Sequence, residues 1–218
     1  MESIDVKSLP SGGLFVTGTD TEIGKTHSTA ALLRALCAAG RRVQGMKPVA
    51  SGCVLADGAW RNEDALALMA AAGSGAPYAD VNPFALPTPT APQLAARETG
   101  AEIALPAITA AYRRLSGDAD TVLVEGVGGW LAPLSDTLDQ ADLVRALDIP
   151  VLLVVGLRLG CINHARLTER AVLADGCRLI GWLGNAVAPD FDPDGRYFEA
   201  LRGALRTPCL GRLPHVPG

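Results

Sequence analysis

Unbroken apolar runs alternate along this chain with stretches whose composition and spacing suit helices. Leu14-Phe15-Val16-Thr17 is a short β-type run ending at a glycine turn, and Lys25 to Ala39, filled with Ala, Leu and Arg, reads as a helix stopped by Gly40. Val43 to Val49 is a second strand, and Asp64 to Ala72 and Leu105 to Leu115 are helical by composition. Thr121 to Val124 and Val151 to Val155 are further strands, with weaker strand signals at Leu179 to Leu183 and Cys209-Leu210. The two strongest runs do not alternate apolar with polar residues, the pattern of strands buried on both faces of a parallel sheet. Strands separated by helices predict right-handed βαβ units, hence an α/β fold with a doubly wound, mainly parallel sheet flanked by helices.

Pro83, Pro87, Pro89 and Pro92 interrupt the passage from Pro77 to Pro92, which is expected to be a long loop, either a surface connection or a lid. No repeat, charge run or linker divides the chain, so residues 1–218 are expected to form one domain.

Hydrophobic residues make up 49% of the chain, too many for a disordered or collagen-like protein. Lys+Arg number 19 against Asp+Glu 23, a net charge of -4 that argues against a broad nucleic-acid or anionic-membrane surface. It leaves room for a small phosphate pocket, which needs only one or two cations. Five cysteines without a C-x-x-C pair, and three scattered histidines, offer no zinc spacing and read as reduced thiols. Met1 to Pro10 lacks an apolar h-region, and the longest apolar stretch, around Val151 to Val155, falls far short of the roughly 20 residues of a membrane span. A soluble, cytoplasmic protein is expected.

Gly18-Thr19-Asp20-Thr21-Glu22-Ile23-Gly24-Lys25-Thr26 lies between the first strand and the first helix, the context a P-loop requires. In such a loop, backbone N–H groups and the positive helix end wrap phosphates, Lys25 reaches the terminal phosphate and the Thr26 hydroxyl meets Mg²⁺. The spelling is off the usual pattern: Thr19 stands where the first glycine belongs, and Gly18 comes one residue earlier. No Asn-Lys-x-Asp guanine-reading element exists, so ATP is the expected nucleotide, with Asn185 after the Leu179 strand as a candidate for the adenine.

Glu125 ends the Thr121 run and precedes Gly126-Val127-Gly128-Gly129, placing a carboxylate where a P-loop protein meets Mg²⁺ beside glycines that let a ligand approach the backbone. Lys47 follows the second strand, expected to lie next to the P-loop strand, and so aims at the same ligand. Asp64, in Arg61-Asn62-Glu63-Asp64, reads on local grounds as an N-cap or first-turn acid. Gly160 to Asn163 reads only as a βα turn, and Tyr197 as a half-buried helix residue.

Together these segments resemble the dethiobiotin synthetases. The likeness runs from Phe15 to about Pro214 and rests on Phe15 to Thr26, Lys47-Pro48-Val49-Ala50-Ser51-Gly52, Val124 to Trp130 and Leu159-Gly160-Cys161-Ile162-Asn163-His164. The resemblance implies ligation of 7,8-diaminononanoate with CO2 at the expense of ATP. An amine forms a carbamate, ATP phosphorylates it, and the second amine closes the ring. It also implies Mg²⁺ ligands at Thr26, Asp64 and Glu125, which replaces the local reading of Asp64. Lys25 and Lys47 would hold the carbamate and the moving phosphate, with Thr21, Glu22 and Ser51 lining the pocket. Ile23, Gly24, Gly126, Gly128 and Asn185 would serve the nucleotide or substrate. Gly160, Cys161, Ile162 and Asn163, assisted by Tyr197, would take the substrate's distant carboxylate from a second subunit, so a homodimer with shared sites is implied. Two spellings differ from many relatives: Ala186 follows Asn185 where some carry an acid, and the chain ends at Gly218.

The rival expectation is a switch or partitioning ATPase of the same superfamily. Those proteins carry a signature lysine five residues before the P-loop lysine, where this chain has Asp20.

Overall fold

The structure, a computed structural model, describes Val6 and residues 9–216. Most of Met1 to Pro10, the segment without an apolar h-region, lies outside the described residues. In chain order the elements are β1 (Gly12–Gly18), α1 (Lys25–Ala38), β2 (Val43–Met46), β3 (Val49–Ala50), β4 (Val54–Ala56), β5 (Ala59–Arg61), α2 (Glu63–Ala72), α3 (Tyr78–Val81) and β6 (Phe84–Ala85). They continue with α4 (Pro92–Thr99), α5 (Leu105–Gly117), β7 (Thr121–Glu125), α6 (Gln140–Leu147), β8 (Val151–Leu157), α7 (Cys161–Ala174), β9 (Leu179–Ala186), α8 (Arg196–Ala204) and β10 (Cys209–Leu213).

Six strands form one sheet in the order β10-β9-β8-β1-β7-β2, and every neighbouring pair is parallel. The doubly wound, helix-flanked architecture expected from the apolar runs is therefore present. Residues that read as an unbroken run are divided between two layers by the strand period of two. Phe15, Val122, Val124, Leu153 and Val155 join Ile108 of α5, Val144 of α6 and Ala165 of α7 in one core. Leu14, Leu123 and Leu152 join Leu32, Leu33 and Leu36 of α1 and Leu68 of α2 in the other. Each of these side chains is almost wholly withdrawn from water, about 1.5–3 kcal/mol apiece for the leucines.

Three expectations are corrected. The Val43 to Val49 strand is interrupted at Lys47-Pro48, because the proline cannot donate to a ladder. β2 stays in the main sheet, while β3 leaves to pair with β6. Moreover, β2 is not the neighbour of β1: β7 is inserted between them. The Pro77 to Pro92 passage is also more than a loop, since it contains α3 and β6 and ends in α4 with Pro92 in the first turn. It lies along Lys47 through Lys47 N to Val81 O (2.8 Å) and Phe84 N to Pro48 O (3.1 Å).

β1 is the point where the winding changes direction, with β7 on one side and β8 on the other, and ligands of such sheets bind at the carboxyl ends there. Among the described residues no helix is long and apolar enough to cross a membrane.

Candidate active site

The glycine turn between β1 and α1 places Gly24 at the N-cap of α1 with φ 82°, ψ 34°, a left-handed conformation that suits glycine. A Cβ here would also stand 2.1 Å from Asn185 Nδ2. Asn185, at the end of β9 and buried, donates that nitrogen to Ile23 O at 3.0 Å, while its buried Oδ1 has no hydrogen-bond partner among the described residues. The Ile23 side chain is not part of the pocket: it is fully buried with Val16 and Val154, so this residue can offer a ligand only its backbone. A cavity of about 300 Å³ opens beside Asn185, lined by Glu22, Gly24, His27, Ala186 and His215 among others.

Three charged groups and one hydroxyl meet at the carboxyl ends of β7 and β2. Glu125, wholly buried, accepts from Thr26 Oγ1 at 2.8 Å and from Lys47 Nζ at 2.6 Å on the same oxygen. Lys47 Nζ also pairs with Asp64 Oδ2 at 2.9 Å and donates to Gly126 O at 3.1 Å. Asp64 is the second residue of α2, whose N-cap is Asn62, its Oδ1 accepting from Ala65 N at 3.3 Å. The expected first-turn position and the expected place at the site are thus the same position. Burial works against the Lys47 ammonium, but the charges of Glu125 and Asp64 outweigh it and hold its pKa above the ordinary value.

Lys25 behaves in the opposite sense. Burial, aided by the Lys47 charge, pulls it down from 10.5 to about 8 against the attraction of Glu125 and Asp64. Its Nζ does not reach out to where a phosphate would lie but folds back onto Asp20 O at 2.6 Å. Between pH 8 and 10.5 the unfolded chain carries a proton at this residue that the folded chain lacks, so stability rises with pH across that window. The full rise is about 3 kcal/mol. Urea midpoints at pH 8 and pH 10 for the ligand-free protein should show it against Lys25→Met, which should lack it; identical pH dependence in both proteins would exclude it.

Thr26, Asp64 and Glu125 supply hydroxyl and carboxylate oxygens, the donor class of Mg²⁺, and the buried Glu125 Oε2 has no partner among the described residues. The set fits a divalent cation. No group of three His, Cys, Asp or Glu side chains able to hold a metal occurs among the described residues, so this mixed set stands in place of a cluster.

Thr21 and Glu22 are exposed at the tip of the loop, Glu22 with φ 56°, and Gly128 lies against Thr21. Ser51 is half-buried just past β3, its carbonyl accepting from Asn62 Nδ2 at 3.5 Å. Gly160 caps α7, Cys161 is buried, Ile162 half-buried and Asn163 exposed, while Tyr197 packs on Phe191 in α8. Among the described residues none of these last five shares a hydrogen bond or ion pair with Lys25, Lys47, Asp64 or Glu125.

Sequence reading missed several supports. Gln140, fully buried, donates its amide to Val127 O at 2.9 Å and Gly129 O at 2.5 Å, fixing the glycine run. Asp20 holds Thr21 N at 2.8 Å and pairs with Arg158 beyond β8. Only the placement of Asp20 inside the loop hinted at this.

A family model described as an AAA domain matches residues 12–218. Among solved structures, the MinC:MinD cell division protein complex of Aquifex aeolicus aligns with a TM-score of 0.59 at 15% identity, covering 94% of this chain and 82% of that one. At that identity it speaks for the fold alone. An ATP-dependent dethiobiotin synthetase BioD of Xanthomonas euvesicatoria pv. vesicatoria (strain 85-10) is 57% identical over 204 residues, 94% of this chain and 91% of the relative. One of Xylella fastidiosa (strain 9a5c) is 54% identical over 203 residues, 93% and 90% of the two chains. With more than half of the positions identical over nine-tenths of both partners, the chain belongs to the ATP-dependent dethiobiotin synthetase family, the ATP-dependent cyclo-ligases of biotin biosynthesis.

Proposed function

We propose that this ligase joins 7,8-diaminononanoate and CO2 into the ureido ring of dethiobiotin, converting ATP to ADP and phosphate. The observation that carries the reading is the buried Lys47 ammonium held between the carboxylates of Glu125 and Asp64, within electrostatic reach of the buried P-loop residue Lys25. One amine of the substrate captures CO2 as a carbamate. A carbamate oxygen then attacks the terminal phosphorus of ATP and ADP leaves. The second amine attacks the carbonyl carbon of the mixed anhydride, expelling phosphate and losing a proton as the ring closes.

The chain's task is to hold anions together. Lys25 exchanges Asp20 O for the terminal phosphate, and Lys47 faces the carbamate and the moving phosphoryl group. Thr26, Asp64 and Glu125 would hold Mg²⁺, which when bound supplies charge neutralisation at the phosphate oxygens. Thr21, Glu22 and Ser51 line the pocket, the backbone at Ile23, Gly24, Gly126 and Gly128 approaches the ligands, and Asn185 Oδ1 is free to accept from an adenine amine. Ring closure is intramolecular, so positioning supplies much of the remaining acceleration. The far carboxylate of the substrate is assigned to Gly160 to Asn163 and Tyr197 of a second subunit. Leu159 and Leu167, 78% and 57% exposed at and on α7, support a homodimer on that side. The cytoplasm is the assigned compartment, in keeping with five cysteines that form no C-x-x-C pair in the sequence.

Purified protein with Mg²⁺ and ATP is expected to release phosphate only when the diamine and bicarbonate are both present, with dethiobiotin detected by mass and the activity co-eluting with a dimer. Phosphate release indifferent to the diamine would instead identify a switch ATPase, and full activity in a strictly monomeric preparation would remove the shared site.

A further inference from the structure

Lys47 and Asp64 lie on segments that belong to different parts of the fold, yet their charged ends are 2.9 Å apart. The passage read from sequence as a loop or lid supplies the connection. The Tyr78 hydroxyl accepts from Asn62 N, the N-cap residue of α2, at 2.8 Å. The same hydroxyl donates to Asn82 Oδ1 at 2.9 Å, and Asn82 Nδ2 donates to Lys47 O at 2.7 Å. Asn82 is 3% exposed, so its amide has no water to fall back on, and a third bond to Phe84 O (3.4 Å) anchors it to β6. Arg61 lies over the Tyr78 ring at 4.2 Å and keeps that side chain in place. The hydroxyl has one proton to give and lone pairs to receive, so the chain of bonds runs in one consistent direction from α2 to Lys47.

We propose that Tyr78 and Asn82 are positioning residues for the ring-closing reaction: a hydrogen-bonded brace that sets the start of α2, and with it Asp64, against the backbone of Lys47. This rests on the reading of Lys47 and Asp64 as the groups that serve the reacting phosphate and its metal. Neither brace residue touches those groups' charged ends. Their effect is geometric, and the P-loop, which follows β1 on the other side of β7, lies outside it.

Tyr78→Phe removes one oxygen and retains the ring and its contact with Arg61. In the ligand-free protein it is expected to speed amide hydrogen exchange at Asn62 about tenfold, a readout independent of catalysis. In the dethiobiotin assay it is expected to lower kcat about tenfold and raise the Mg²⁺ concentration for half-maximal rate several-fold, with KM for ATP within about twofold of the parent. Tyr78→Phe combined with Asn82→Ala should be no slower than Asn82→Ala alone, because both break one chain of bonds. Additive losses, or unchanged exchange at Asn62, overturn the brace. Faster exchange with unchanged kcat and unchanged Mg²⁺ requirement overturns its role in positioning. A parent protein that makes no dethiobiotin refutes the functional reading instead, and the exchange measurement still decides whether the brace exists.

Discussion

Lys47→Met is expected to eliminate detectable ring closure and to destabilise the fold by about 3–5 kcal/mol, the cost of leaving the Glu125 carboxylate buried without its cation. The two losses have different origins and are separable. Adding Glu125→Leu removes the stranded charge, so the double variant should regain most of the lost stability, since buried ion pairs can often be exchanged for apolar pairs at little cost. Asp64 needs no such rescue: its side chain is 42% exposed and can be hydrated. Product formation should not return in the double variant. Urea denaturation and mass detection of dethiobiotin on the same preparations would follow both quantities. Turnover by Lys47→Met within about tenfold of the parent would show that the ammonium does not serve the reacting groups, because removal of a preorganised charge at a transition state typically costs 10²–10³.

The second large effect concerns Gly24. Gly24→Ala places a methyl 2.1 Å from Asn185 Nδ2, forcing that side chain off Ile23 O, and imposes a left-handed backbone on a residue with a Cβ. The expected outcome is a folded protein whose affinity for ATP falls about 10²-fold, as expected when a loop that must fit a phosphate chain is displaced by an ångström. Gly40→Ala isolates the strain. Its φ is 84°, nearly that of Gly24 at 82°, but its Cβ would meet nothing within 4 Å. That variant should lose about 1–2 kcal/mol of stability and bind ATP normally. Calorimetric titration with ATP distinguishes the two, and equal loss of affinity in both would trace the effect to backbone strain rather than to the collision.

The sheet was legible because buried parallel strands write themselves as β-branched and leucine runs, and β1, β7, β8 and β9 all appear where those runs lie. Strand order was not legible. The insertion of β7 between β1 and β2 is a long-range pairing with no local signature, so Lys47 was placed one strand too near the P-loop strand. Nothing local separates β3 from β2 except Pro48, and a two-residue pairing with β6 is too short to mark a sequence. At the site, Lys25, Thr26 and Glu125 follow from spacing and strand ends alone. Asp64 could be drawn to the site only through family likeness, because an acid two residues after Asn62 is equally well explained by the helix dipole. Gln140 and Asn82 gave no signal. A buried amide that satisfies carbonyls of a distant turn looks, in sequence, like any surface amide.

Glu125 and Asp64 contribute two negative charges to the pocket, and Lys25 and Lys47, when protonated, two positive ones. With Lys25 protonated the four charges sum to zero, although Lys47 alone pairs with both acids and Lys25 rests on the Asp20 carbonyl. A compartment balanced in this way has little tendency to collect stray anions or stray divalent cations separately, since either would unbalance it in a medium of low polarisability. It accommodates them as a matched pair. On the proposed reading, loading would be an exchange of partners: Lys25 would leave the Asp20 carbonyl and Lys47 its two acids for the incoming phosphates, and the vacated oxygens would face the accompanying cation.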